Sequence, residues 1–220
     1  MRHRCSHLHL LLLFARCYAI IAADISSVAK AIYDLPTPPQ VVLFATGGGI
    51  QASTYLLGTP GASRSVLDVQ MPYSRSSLRQ LLGGRDPHKY VSADVARDLA
   101  AAAFERARAL RDVENAQSAP AIGVGCTAAL RSEPMKRGAH RCFVAVRTEA
   151  GTHEVALTLA KGARSRLLED AVVSHVAVLA LAKACGVGLS AEQAGSWRLP
   201  PDMAVGEYKQ AVAEERLVES

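Results

Sequence analysis

The stretch VVLFATGGGIQASTYLLGTPGASRSVLDVQMPYS, from Val41 to Ser74, decides the fold of this chain. Its apolar, β-branched start runs directly into Thr46-Gly47-Gly48-Gly49 and then into a segment with helical spacing. This order predicts a strand, a glycine turn and a helix N-terminus, where backbone N–H groups converge on an anion. A second turn at Thr59–Ser63 and then Pro72-Tyr73-Ser74 follow, so the pattern is more specific than an isolated glycine cluster.

The composition is that of one globular domain of moderate size. Of the 220 residues half are apolar and one fifth are charged, and aromatic residues make up only 5%, which favours alanine-rich helices packed closely on a sheet. The net charge of +5, without a lysine-rich run, does not indicate a nucleic-acid partner. The cysteines are odd in number and have no CxxC spacing, so we predict no metal and no cofactor. They are Cys5, Cys17, Cys126, Cys142 and Cys185.

Three segments are predicted: a basic and apolar segment over residues 1–23, a folded domain over 24–188 and a polar tail over 189–220. Arg16 interrupts the apolar run Leu8–Ala15, which is too short for a membrane span of about 20 residues, so no membrane partner is expected. An ordinary N-terminal helix, or an ill-chosen start codon, implies a cytoplasmic protein. A mitochondrial presequence and a secretory signal peptide are the alternatives.

Strands alternate with helices through the folded domain and predict an α/β fold. The predicted strands are Val41–Ala45, Val66–Met71, Ala121–Gly125, Cys142–Arg147 and His153–Ala160. The predicted helices are Ala22–Tyr33, Ile50–Leu57, Ser77–Leu82, Ala93–Arg111 and Arg164–Cys185, with Ser74 and Ser92 as N-caps of the third and fourth. Parallel crossovers followed by one late hairpin indicate a three-layer α/β/α domain with a mixed sheet.

From about Ala29 to Gly186 the chain resembles the C-terminal domain of CinA, the nicotinamide mononucleotide deamidase family. The resemblance lies in Thr46-Gly47-Gly48 after the first strand, the Pro60–Ser63 turn, Tyr73-Ser74 after the second strand, the serine-initiated helix at Ser92 and Gly162-Ala163-Arg164 before the last helix. The finer motifs are similar to a eukaryotic branch whose plant-like members carry the domain before a nucleotidyltransferase domain. The resemblance implies a CinA-like fold. We expect the domain to work with a partner enzyme, for which a nucleotidyltransferase is the candidate, or as a homo-oligomer.

The two central catalytic residues of that family have no counterpart here. In the deamidases a nucleophilic serine lies two residues before the motif threonine, and a lysine base lies five residues after the tyrosine. These positions hold Phe44 and Leu78, which can neither attack a carbonyl carbon nor accept a proton. The resemblance therefore implies a domain that binds a pyridine nucleotide or a similar phosphate ligand without the usual serine and lysine.

The predicted ligand-binding residues offer hydroxyls, backbone donors or guanidinium groups to such a small-molecule nucleotide. They are Thr46, Gly47, Gly48, Gly49, Tyr73, Ser74, Gly125, Thr127, Arg137, Arg141 and Arg164. Some of these residues also have a purely structural explanation. Glycines also serve tight turns, Ser74 can cap its helix, and Arg164 can be an exposed residue of a first helical turn.

The alternative function is an active amidohydrolase with a relocated nucleophile. Cys126 is the leading candidate, because it follows Gly123-Val124-Gly125 at a predicted strand end, where a helix N-terminus and nearby arginines would favour a thiolate. His140 is the local candidate base, and Thr46 and Thr127 are candidate hydroxyl nucleophiles. Against this stands the common use of free cysteine as a small buried hydrophobe.

Overall fold

The computed structural model describes residues 25–114, 116 and 118–187, together with the backbone of 217–219. The predicted N-terminal segment, 1–23, and the polar tail except for 217–219 lie outside the described residues. The strands are β1 Gln40–Thr46, β2 Val66–Gln70, β3 Ala121–Ala129, β4 His140–Thr148, β5 Gly151–Leu159 and β6 Leu217–Glu219. The helices are α1 (25–33), α2 Gln51–Leu57, α3 Arg75–Leu81, α4 Ala93–Val113 and α5 Arg166–Ala184.

The strands form one mixed sheet in the order β2-β1-β3-β4-β5-β6. Strand β1 pairs in parallel with β2 and β3, and the remaining pairs are antiparallel. The predicted mixed sheet with a late hairpin is confirmed. Strand β6 is an addition, since its residues fall in the segment that the sequence predicts only as a polar tail.

The sheet is covered on both faces, which confirms the predicted three-layer architecture. Ile122, Val124 and Cys126 of β3 belong to a hydrophobic cluster that also contains buried residues of α1, α2 and α5. On the opposite face, Val42 and Phe44 of β1 pack in a cluster with buried residues of α3 and α4. Alternation along each strand thus assigns neighbouring residues to different layers. Among the described residues no helix is long and apolar enough to cross a lipid bilayer.

Helix α4 approaches β3 so closely that two glycines are required there. A Cβ atom on Gly125 would lie 2.2 Å from the carbonyl oxygen of Ala96, and one on Gly123 would lie 2.2 Å from that of Ala100. Gly125 is buried beneath the helix. The structure therefore corrects its interpretation as a ligand-binding residue, because its missing side chain makes room for α4.

The predicted N-caps Ser74 and Ser92 are confirmed, whereas the last helix begins at a different residue from the predicted one. Ser74 and Ser92 cap α3 and α4, and their hydroxyl oxygens accept from the backbone N–H of Ser77 and Val95. The last helix begins after Ser165, which caps it in the same way, rather than at Arg164 as predicted. Strand β3 continues to Ala129 instead of ending at Gly125, and this extension changes the surroundings of the residues that follow Gly125.

Candidate functional site

A cavity of about 300 Å³ opens where β1 and β3 end, which is at the lower limit of the volume of small-molecule sites. The chain leaves β1 towards β2 on one side, and β3 then pairs on the other side of β1. In open α/β sheets, ligands bind outside the carboxyl ends of the strands at such a switch point. The cavity is lined by Thr46, Gly47, Tyr73, Ser74, Arg75, Leu78, Tyr90, Val91, Thr127 and Ala128.

Five of the predicted ligand-binding residues meet in this cavity. They are Thr46, Gly47, Tyr73, Ser74 and Thr127. Thr46 and Thr127 are direct neighbours across the parallel pair β1–β3. Tyr73 is 71% exposed at the mouth of the cavity, and Gly47 has a φ of 74°, a left-handed conformation that favours glycine.

The two threonine hydroxyls are oriented by main-chain acceptors. The Thr46 hydroxyl donates to the carbonyl oxygen of Pro72 at 2.6 Å, and that of Thr127 donates to the carbonyl oxygen of Tyr90 at 2.7 Å. Each oxygen keeps lone pairs that can accept a hydrogen bond from a ligand. Since the hydroxyl protons point to carbonyl groups, which are not bases, this geometry does not activate either oxygen as a nucleophile.

Arg75 and Tyr90 are lining residues that the sequence analysis missed. The Arg75 guanidinium lies over the Tyr90 ring, 4.8 Å from its centroid, a cation–π contact. The Tyr90 hydroxyl donates to the carboxylate of Asp86, and this hydrogen bond is the main cause of the raised pKa of Tyr90. Of the described residues that line the cavity, Arg75 alone carries a full charge. Its place directly after the Tyr73-Ser74 motif was the available signal, whereas no motif marks Tyr90.

Phe44 and Leu78 lie together beneath the cavity. Both are buried, 3% and 2% exposed, and they belong to the same hydrophobic cluster. Leu78 also lines the cavity. The two positions that the resemblance links to nucleophile and base are therefore brought into one apolar cluster under the threonines.

The helix N-terminus that follows the glycine turn does bind an anion, but this anion is a carboxylate of the protein itself. The Asp170 carboxylate of α5 accepts from the backbone N–H of Ile50 at 3.2 Å and from that of Gln51 at 3.0 Å. Gly48 and Gly49 are buried. A Cβ on Gly48 would lie 2.6 Å from Leu130 Cδ1, and one on Gly49 would lie 2.8 Å from Cys126 Sγ.

These contacts correct two of the glycine assignments. Gly48 and Gly49 let the turn pack against the end of β3, and neither lines the cavity. Gly47 is the glycine of this turn that does line it.

Cys126 lies within β3 and is fully buried. Its thiol points towards the carbonyl oxygen of Gly48, with the sulfur 3.8 Å away. Burial raises the pKa of the Cys126 thiol well above its ordinary value, and Cys142 and Asp170 raise it further. The expected reactive thiolate at a strand end is therefore corrected to a buried thiol.

His140 is engaged elsewhere and does not act on Cys126. It is fully buried in β4, and its Nδ1 lies 2.6 Å from Oε1 of Glu169, which is also fully buried. The imidazole thus belongs to a buried pair with a carboxylate.

The three predicted arginines lie outside the set of residues that line the cavity. Arg164 is 2% exposed and precedes α5, so its interpretation as an exposed first-turn residue is corrected. Arg137 and Arg141 are exposed. The guanidinium of Arg141 lies 5.7 Å from the ring centroid of Phe143.

The layers, the sheet order and the cavity together define a three-layer α/β fold of the CinA type. The competence/damage inducible protein CihA from Agrobacterium tumefaciens matches with a TM-score of 0.55 at 20% identity, over 74% of this chain and 96% of that one. A CinA superfamily protein from Escherichia coli matches with a TM-score of 0.53 at 13% identity, over 74% of this chain and 90% of that one.

A competence or damage-inducible protein from Enterobacter asburiae matches with a TM-score of 0.52 at 14% identity, over 75% of this chain and 98% of that one. Comparison with protein-family models and with curated proteins finds no match. The similarity to these solved structures establishes the fold.

Proposed function

We propose that this chain is a binding domain for a small phosphate-bearing nucleotide, of the pyridine type that the resemblance implies, and that it does not hydrolyse amides. One observation carries the proposal. Five predicted ligand-binding residues line one cavity, above an apolar cluster that contains Phe44 and Leu78. These are the positions where the resemblance implies a nucleophilic serine and a lysine base.

The chemistry of the lining residues suits a planar ring with an anionic group. Leu78, Val91 and Ala128 offer an apolar surface, and Tyr73 and Tyr90 offer aromatic faces. The threonine hydroxyls can accept hydrogen bonds from an amide or a ribose. The Arg75 guanidinium can pair with a phosphate through two hydrogen bonds.

Amide hydrolysis needs a nucleophile, a base that activates it and donors for the oxyanion. The hydroxyls of Thr46 and Thr127 donate to carbonyl groups, and the Cys126 thiol is buried with a raised pKa. The geometry therefore best supports a domain that binds a ligand in its cavity and does not hydrolyse amides. We propose that the domain works with a partner enzyme, for which a nucleotidyltransferase is the candidate, or as a homo-oligomer.

The test is the thermal unfolding of the full chain with nicotinamide mononucleotide, with ammonia measured in the same samples. A ligand at one hundred times its dissociation constant adds about 2.7 kcal/mol of stability. The Arg75→Gln variant should lose this stabilisation. Arg79→Gln should keep it, because Arg79 is exposed on the same helix but does not line the cavity.

Stabilisation without ammonia supports the binding domain. Ammonia release by the wild-type chain that disappears in Thr46→Val would establish the alternative, an amidohydrolase with a relocated nucleophile. A chain that is not stabilised and releases no ammonia would contradict both functions.

A further inference from the structure

Basic residues from two loops lie close together beside the glycine turn. They are Arg131, Lys136, Arg137, Lys161 and Arg166, which we call the basic cluster. The first three come from the connection between β3 and β4, and the other two come from the connection between β5 and α5 and from the first residue of α5.

Hydrogen bonds to main-chain carbonyls hold the cluster together. Lys161 Nζ donates to the carbonyl oxygens of Lys136 at 2.6 Å and Arg137 at 3.1 Å. The Arg166 guanidinium donates to the carbonyl oxygen of Arg131 at 2.9 Å. These three hydrogen bonds join the two loops and use no carboxylate as acceptor.

Several arginines elsewhere on the described surface pair with carboxylates. Arg64, Arg97 and Arg106 pair with carboxylates of Asp34, Glu154 and Asp68 respectively. Over the described residues, no ion pair with a carboxylate involves any of the five members of the basic cluster.

Two acidic residues lie close to the cluster in sequence or space. Glu169 is fully buried, and its oxygens accept from His140 Nδ1 and from the backbone N–H of Arg131. Glu133 is exposed in the same loop as Lys136. Even with both carboxylates ionised, five cations face two negative charges.

The pKa of Lys136 reflects how close these charges are to one another. Its pKa is lowered, first by partial burial and next by the positive charge of Arg166, with Lys161 acting in the same direction. Glu169 acts in the opposite direction. Cations held this close together with fewer anions than cations favour a group of high negative charge.

We propose that the basic cluster binds linked phosphate groups, so that the ligand of this domain is a nucleotide carrying a diphosphate. The cluster adjoins the cavity, since Arg166 Nη2 donates to the carbonyl oxygen of Gly47 at 3.2 Å and Gly47 lines the cavity. A ligand bound in the cavity beside Arg75 can therefore extend onto the cluster. This assignment rests on the proposed function for the ring, but the phosphate site stands on its own residues.

Charge balance favours two phosphates over one. A phosphate monoester carries between about −1.5 and −2 charges, fewer than the net charge of about +3 that remains when the two carboxylates are subtracted from the five cations. Three of these cations are guanidinium groups, which bind phosphate oxygens in a fixed bidentate geometry.

The experiment measures the binding of inorganic pyrophosphate to the full chain by calorimetry, with inorganic phosphate for comparison. Pyrophosphate should bind more tightly than phosphate. Lys161→Gln and Arg166→Gln should each weaken pyrophosphate binding about tenfold, the loss of one charge-assisted contact. Arg79→Gln is the matched control, because Arg79 is also exposed and also donates to a main-chain carbonyl, that of Gly84; it should leave the affinity unchanged.

Several outcomes would overturn the site. The first is that the chain does not bind pyrophosphate, and the second is that Arg79→Gln weakens binding as much as the cluster variants do. The third is that both cluster variants unfold like the wild type without ligand and bind pyrophosphate with unchanged affinity. Much tighter binding of RNA than of pyrophosphate would instead reveal an extended polyanion surface and overturn it as well.

The experiment distinguishes failure of the proposed function from failure of the phosphate site. Pyrophosphate binding that depends on Lys161, in a chain that nicotinamide mononucleotide does not stabilise, would support the phosphate site and contradict the pyridine nucleotide.

Discussion

The carboxylate of Asp170 accepts a hydrogen bond from the backbone N–H of Gln51 at 3.0 Å, across the 119 positions that separate the two residues. The same oxygen also accepts from the Gln51 side chain at 3.2 Å. Helix α5 thereby provides the cap that α2 lacks locally, since Ile50 at its N-cap position makes no side-chain cap. The next residue back, Glu169, holds the backbone N–H of Arg131 at 2.6 Å. Two consecutive acids thus fix the glycine turn and the chain after β3 to one helix.

Replacing Asp170 with alanine should lower the free energy of unfolding by roughly 1.5–3 kcal/mol, the range for hydrogen bonds to a charged group. The backbone N–H groups of Ile50 and Gln51 would lose their acceptor. Urea unfolding measures the loss. Asp170→Asn, which keeps an acceptor oxygen, should cost less.

The matched control for Asp170 is Glu105→Ala on α4. Glu105 is exposed and pairs with Arg108 over one helical turn, so its loss should stay within about 0.5 kcal/mol. An Asp170→Ala variant as stable as this control would refute the capping role.

Gly125→Ala should destabilise the chain by more than about 2 kcal/mol in the absence of any ligand. The new methyl group would lie 2.2 Å from the Ala96 carbonyl oxygen and 2.4 Å from the Ala100 nitrogen, so α4 must move off the sheet. Gly138→Ala is the control, because a Cβ there meets nothing within 4 Å. Thermal unfolding compares the two variants. A Gly125→Ala chain that unfolds like the wild type but no longer binds ligand would restore Gly125 to the binding site.

Local sequence signals predicted the first strand, the glycine turn and the caps at Ser74 and Ser92, because these depend on residues a few positions apart. The end of β3 was missed for a tertiary reason. Cys126 and Thr127 pair with β1 on one side, and Cys126 to Ala129 pair with β4 on the other, so pairing rather than local propensity extends the strand.

Only part of the site was predicted, because the rest of it also depends on tertiary structure. Thr46, Tyr73 and Ser74 lie in motifs, whereas Tyr90 reaches the cavity through a loop whose path no motif encodes. The anion at the turn was expected to be a ligand. Its replacement by Asp170 depends on α5, which lies more than one hundred residues further along the chain.

Phe44→Ala should lower the free energy of unfolding by roughly 3–5 kcal/mol, and Leu78→Ala by roughly 2–5 kcal/mol. Both side chains are buried in the cluster beneath the cavity, and truncation leaves a void that α4 and β1 fill only partly. Urea unfolding measures both losses. Val113→Ala, which truncates a side chain that is 79% exposed, should be nearly neutral. Losses in the two cluster variants no larger than in this control would show that the cluster does not support the floor of the cavity.

Stability should fall as the pH rises above about 9, and Cys185 should be one of the causes. Burial raises the pKa of Cys185 from 9.0 to about 12 in the folded chain. Between these values the unfolded chain has lost the thiol proton and the folded chain retains it. The unfolded state then binds fewer protons, so the free energy of unfolding decreases by about 1.4 kcal/mol per pH unit for this thiol.

The Cys185→Ala variant removes this one contribution and leaves the other titrating groups in place. Urea unfolding under reducing conditions, at intervals between pH 8 and pH 10, should give a shallower decline for the variant than for the wild type. Below pH 8 the two curves should run parallel, because the thiol is protonated in both states. Curves that remain parallel up to pH 10 would mean that the folded chain ionises Cys185 as readily as the unfolded chain, and that C185 is open to water at the end of α5.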